Sequence, residues 1–206
     1  MKELPKNTSE ALVLFFRDPQ EEEEPVYYSI LYLLRRDIFK GFGFNPSNGC
    51  KPLCDDARTI WLSMMGIMAG IDLLGKFVEG RDDVGSSGKR FKDYMRRYFH
   101  IEDSDCIETI YQLRNSLLHS FGWYSAKRNK QGELVKEYRF TLNMEYGAPL
   151  ITKVGDNVYV VSVSTLHKLF ETSVGEYSDA LVDNELTHNF DNMFPRYGWM
   201  RIGPRQ

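Results

Sequence analysis

Leu113-Arg114-Asn115-Ser116-Leu117-Leu118-His119 closes a stretch whose periodicity decides the fold. At about 100° per residue, Ile107, Ile110, Tyr111, Leu113, Leu117, Leu118 and Phe121 fall on one broad apolar stripe, which predicts an amphipathic helix. Arg114 lies inside that stripe. His119 lies about 140° round from it, on a flank shared with Asn115, Gln112 and Glu108. A guanidinium on the core-facing side of a helix needs a buried acidic partner or an anionic ligand. The plainer reading is that Arg114 snorkels or makes a structural ion pair, with His119 favoured by the negative end of the helix dipole.

Working outward, Ser104 or Asp105 can cap this helix, and Gly122 provides a stop beyond His119. Upstream, Glu21 to Glu24 and Pro25 read as the start of a helix from Val26 to about Lys40, broken by Gly41 to Pro46. Asp55 or Asp56 can cap a longer helix reaching about Glu79, whose apolar residues nearly encircle it and so mark it as central. Gly80 to Gly88 reads as a polar loop. Lys89 to Phe99 then alternates cations with aromatics, as a helix that buries Phe91, Tyr94, Met95 and Tyr98 and turns its cations outward. Those cations form either a solvated face or a phosphate-tracking surface carrying Lys89, Arg90, Arg96 and Arg97.

After the stop the period changes to two, in Glu137 to Met144 and again in β-rich Asn157 to Val163. This predicts a small antiparallel hairpin or meander over about 136–163. Ser164 or Thr165 can cap another helix to about Val182, and the tail from Asn184 is interrupted by Pro195 and Gly198. There is no internal repeat. The expected fold is a mainly α single domain over 1–206, a helical bundle with a β insertion before its last helix.

Composition bounds the function. Hydrophobic residues make up 42% of the 206, enough for one substantial core, and a net charge of −3 argues against non-specific coating of nucleic acid while allowing a local basic groove. The most apolar stretch, Ile60 to Leu74, contains Ser63, Asp72 and two glycines, and falls short of the roughly 17–25 uninterrupted apolar residues of a membrane span. With a polar N-terminus and three cysteines, the expectation is a cytoplasmic protein with reduced thiols and no membrane partner. Cys50 and Cys54 are spaced C-x3-C, but no second Cys/His pair lies near them in sequence, so no metal or other cofactor is expected. Walker A, G-x-G-x-x-G, H-E-x-x-H and G-x-S-x-G motifs are all absent, which leaves nucleotide hydrolases, dehydrogenases, zinc proteases and serine esterases without support.

The groups themselves suit a phosphodiester. RNA carries its own nucleophile, the 2′-OH, so an enzyme need only move two protons and stabilise charge on the phosphoryl group. An imidazole can serve as base or acid, each transfer being worth about 10²–10⁴-fold. A desolvated guanidinium can hold non-bridging oxygens, and the Asn115 amide can orient either partner. Asp72 interrupts an apolar run and is expected to hold Arg114, the alternatives being a simple exposed position or a pair with Lys76 at i+4; Glu108 is a weaker helper. Ser120, Trp123 and Tyr124 suit packing and capping, or base stacking. His100, His167 and His188 read as structural or surface residues.

Arg114-Asn115-Ser116-Leu117-Leu118-His119, late in an apolar helix, resembles the R-x4-6-H motif of the HEPN superfamily, with Asn in the usual second position and the shortest spacing. The resemblance covers residues 26–122 and 164–183 and is sharp only at the motif; the β insertion and the long N-terminal segment depart from a minimal member. It implies a helical bundle that dimerises so that two motifs face one cleft. It further implies a metal-independent endoribonuclease of toxin-antitoxin or defence type, with Arg114, Asn115 and His119 at the site, RNA as substrate and an antitoxin protein as partner. Alternatives are a catalytically silent module that binds RNA, nucleotide or a protein, and a helical dimerisation scaffold.

Overall fold

The computed structural model describes residues 3–20, 27–42, 59–183 and 186–201. The protein is mostly helical. Seven α-helices lie among the described residues: α1 (Thr8–Phe15), α2 (Ile30–Phe42), α3 (Ile60–Glu79), α4 (Ser87–Tyr98), α5 (Ser104–His119), α6 (Val163–Val182) and α7 (Thr187–Tyr197). Six strands accompany them: β1 (Tyr27–Ser29), β2 (Tyr124–Arg128), β3 (Leu134–Asn143), β4 (Ile151–Lys153), β5 (Val158–Ser162) and β6 (Trp199–Arg201).

α3 is the axis. It packs against α2, α4, α5, α6 and α7, and Met64, Ile67, Met68, Ile71, Leu74 and Phe77 are all fully buried. By length and composition alone α3 could cross a membrane, but half of that apolar window is buried against the helices packed around it. Close approach depends on small residues: a Cβ on Gly70 would stand 2.6 Å from the Phe170 ring of α6, and one on Gly66 2.7 Å from Ile38 of α2. Gly80 ends the helix in the left-handed region, φ 71°, with its N–H donating to Lys76 O at 2.8 Å.

Several elements differ from the sequence reading. The second helix starts at Ile30, because Tyr27–Ser29 instead pairs antiparallel with Trp199–Arg201, a partner that no local pattern reveals. Ser29 then caps it, its Oγ accepting from Tyr32 N at 3.0 Å. The expected acidic start at Glu21 to Pro25, the caps Asp55 and Asp56, and the Cys50/Cys54 pair all lie outside the described residues. Helix α1 was not foreseen, although Asn7-Thr8-Ser9-Glu10 has the form of a capping box and Asn7 Oδ1 accepts from Glu10 N at 2.9 Å.

The β insertion is larger than expected and is not purely antiparallel. It begins at Tyr124 and forms a four-stranded mixed sheet in the order β2-β3-β5-β4, with β3 and β5 parallel. The period-two pattern marks which residues are strands but not their direction. The short strand β4, which pairs antiparallel with β5, turns the chain so that β5 returns alongside β3. α6 is not the last helix either, since α7 follows it and packs on α3.

Candidate active site

Asp103 caps α5, its carboxylate accepting from Asp105 N at 2.8 Å, one residue before the expected cap. At the other end Gly122 N donates back to Ser116 O at 3.0 Å, while Phe121 adopts φ 48°, a left-handed backbone that bulky residues seldom take. The chain reverses there, and β2 runs back along the flank of α5. Ser125 Oγ of β2 donates to Gln112 Oε1 of α5 at 2.6 Å, and both residues are buried. Trp123 packs edge-on to Trp61 of α3, centroids 5.3 Å apart.

Arg114 is buried within this frame and makes four hydrogen bonds. Nε and Nη2 donate to Asp72 Oδ2 of α3 at 2.9 and 2.6 Å. Nη1 donates to Asn115 Oδ1 at 3.1 Å and meets His119 Nε2 at 2.5 Å. One guanidinium therefore joins the central helix to Asn115 and His119 of the motif. Because a guanidinium can only donate, His119 Nε2 accepts, which places the ring proton on Nδ1 and leaves the imidazole neutral in this contact. Burial pushes the Asp72 carboxyl above its usual range, and the charge and hydrogen bonds of Arg114 oppose that shift. Without Arg114, Asp72 would be a half-buried carboxylate lacking its principal compensating charge.

His119 itself is exposed and opens into a groove of about 480 Å³ between the end of α5 and β2. Gln112, Asn115 and His119 form one wall; Tyr124, Lys127 and Arg128 form the other. In a chain of net charge −3, the groove lining includes two cations and an imidazole and no carboxylate.

The other residues singled out in the sequence lie elsewhere. Lys76 sits over the Tyr197 ring of α7, 4.6 Å from its centroid. Glu108 ties three elements together, accepting from Lys92 of α4 at 2.6 Å and Gln112 at 3.0 Å, with Lys127 of β2 also at 3.0 Å. Burial raises its pKa, but these bonds outweigh that and hold it at about 2. The α4 cations do not line the groove. Lys89 and Arg96 pair with Asp93 at 3.4 and 2.8 Å, and Arg97 lies over the Tyr98 ring. Arg90 corrects the expectation of an outward face: its side chain is 3% exposed and donates to Asp83 O and Ser86 Oγ, both at 2.8 Å. Its partners lie in the preceding turn, where a helical projection does not look. The sequence reading also missed Lys127 and Arg128, whose signal was the cationic run Lys127-Arg128-Asn129-Lys130 just after the motif.

His100 bonds Glu176 at 2.8 Å, His188 meets Asn192 at 3.2 Å, and His167 is buried in the core, its pKa lowered by desolvation to about 4. Among the described residues no group of His, Cys, Asp or Glu side chains could hold a metal ion. No family model, no curated protein and no solved structure matches the chain.

Proposed function

We propose that the protein is a metal-independent endoribonuclease of the HEPN kind, acting in the cytosol, with Arg114, Asn115 and His119 as its catalytic residues. The observation that carries this reading is the Arg114 guanidinium, anchored by Asp72 and joined to Asn115 and His119 at the edge of a cationic groove. A phosphate entering the groove competes for Arg114 Nη1 through its non-bridging oxygens. That exchange frees His119 Nε2 to take the proton from the 2′-OH. The 2′-oxygen then bonds to phosphorus, the bond from phosphorus to the 5′-oxygen breaks, and the leaving oxygen receives a proton from an imidazolium. The products are a 2′,3′-cyclic phosphate and a 5′-OH. In a homodimer two copies of His119 divide the two transfers, and an antitoxin protein that covers the groove would silence both.

A second reading, a structural ion pair, rests on the burial of Arg114 against Asp72. The two are separated with a DNA oligonucleotide carrying a single ribonucleotide, incubated with the protein in excess EDTA. The nuclease cuts only 3′ to the ribonucleotide and leaves a cyclic phosphate there, and His119→Ala does not. A protein that leaves this strand and mixed-sequence RNA intact is no nuclease.

A further inference from the structure

We infer that β2 is a subsite for single-stranded RNA, with Tyr124 stacking one base and Lys127 and Arg128 holding the neighbouring phosphates. This rests on the nuclease reading for its position beside the scissile bond, but it is carried by different residues.

Tyr124 is 43% exposed at the groove and its hydroxyl is tied to Glu137 Oε1 of β3 at 2.8 Å, which fixes the ring while leaving a face open. A fixed, half-exposed aromatic ring beside cations is the platform on which successive bases stack with little sequence preference. Lys127 and Arg128 follow on the same strand, where the register with β3 shifts between them. The groove lining takes in every residue from Tyr124 to Arg128, so both consecutive cations reach it. Their charge is incompletely spent within the protein. Lys127 shares the single Glu108 carboxylate with Lys92, and Arg128 donates to an uncharged acceptor, Gly132 O at 2.8 Å.

From Tyr124 to Arg128 the strand spans about 13 Å, enough for a base and the phosphates that flank it. The groove's volume of about 480 Å³ suits a splayed nucleotide, and a base can reach the Tyr124 ring only when it is out of a duplex stack.

The test uses the full chain carrying His119→Ala, so that bound RNA is not consumed, and a fluorescein-labelled mixed-sequence single strand read by anisotropy across a salt series. Against this background Lys127→Ala with Arg128→Ala should weaken binding by roughly ten-fold or more and flatten the plot of log affinity against log salt by about 0.7 for each cation removed. Tyr124→Ala should weaken it by roughly five- to a hundred-fold, whereas Tyr124→Phe, which keeps the ring but loses its tie to Glu137, should retain most of its parent's affinity. A duplex of the same sequence should bind more weakly. Single-stranded DNA should bind comparably, since neither contact reads the 2′-OH. Unchanged affinity and salt slope in the double variant, or equal affinity for duplex and single strand, overturns the proposal. Melting curves of every variant exclude loss of fold as the cause. Binding that depends on these residues in a protein that cuts nothing would retain the subsite and reject the nuclease. Cleavage that depends on His119 but ignores Tyr124, Lys127 and Arg128 would do the reverse.

Discussion

Two hollows lie between α5 and the sheet, one at each end of the helix. At the N-terminal end, a hollow of about 310 Å³ is lined by Asp103 and Asp105 together with Lys136 and Lys153, so its charges balance. At the C-terminal end the groove holds Lys127, Arg128 and His119 with no carboxylate in its lining. Both are made from the same helix and neighbouring strands, yet only the second carries an excess of positive charge beside a group that can move a proton, since Lys127 shares Glu108 with Lys92 and Arg128 donates to the Gly132 carbonyl. An anion-binding site is therefore recognised by charge that its surroundings leave unmatched, rather than by the number of cations nearby. α4 makes the same point from the other side, since the partners of Lys89, Arg90 and Arg96 are Asp93 and residues of the turn before the helix.

The contrast is broken most severely at Arg114. Arg114→Ala should abolish cleavage and also destabilise the fold by about 2–4 kcal/mol, because the half-buried Asp72 carboxylate loses its principal partner; urea titration measures the second effect. His119→Ala should remove cleavage by at least about 10²-fold while shifting stability within about 0.5 kcal/mol, since the ring is exposed. Charge reversal sharpens the comparison between the hollows: Lys127→Glu with Arg128→Glu should lower kcat/KM at least about ten-fold, whereas Lys153→Glu at the balanced end should leave it unchanged. Ser125→Ala, which strips the buried Gln112 Oε1 of its donor, should cost about 1–3 kcal/mol in the same urea titration.

Acid provides a finer probe of the clamp that holds Lys127. The Glu108 pKa is lowered on folding from 4.5 to about 2. Its contribution to stability is thus fully present above pH 4.5 and is lost as pH falls from there through about 2. Thermal melts across that window should show a shallower decline in Glu108→Gln than in the parent, and identical slopes would show that the clamp contributes nothing. The smallest effect is expected at Phe121: Phe121→Gly relieves the left-handed backbone and should raise the melting point by an amount equivalent to roughly 0.5–1 kcal/mol.

Much of this arrangement is legible in the sequence because it is local. The 3.6-residue period marks α3 and α5, and a charged residue inside each apolar run, Asp72 and Arg114, points to a pairing that the structure contains at 2.6 Å. What is not legible depends on partners far away in the chain. The pairing of Tyr27–Ser29 with Trp199–Arg201 converts a helix start into a strand, and the parallel match of β3 with β5 depends on how β4 turns. Arg90 was misread for a similar reason, because its fate is set by a preceding turn rather than by the face of its own helix. The second wall of the groove was missed because β2 is short and polar, and its Lys-Arg pair resembles an ordinary solvated turn until β2 is laid against α5.

The central claim, that the cationic groove is the catalytic end of α5, is tested most directly by incubating end-labelled mixed-sequence RNA in excess EDTA with the parent protein and with His119→Ala and Lys153→Glu proteins of matched melting temperature. The account predicts cleavage by the parent and by Lys153→Glu, with cyclic phosphate ends, and none by His119→Ala. Equal cleavage by all three, or by none, would contradict it.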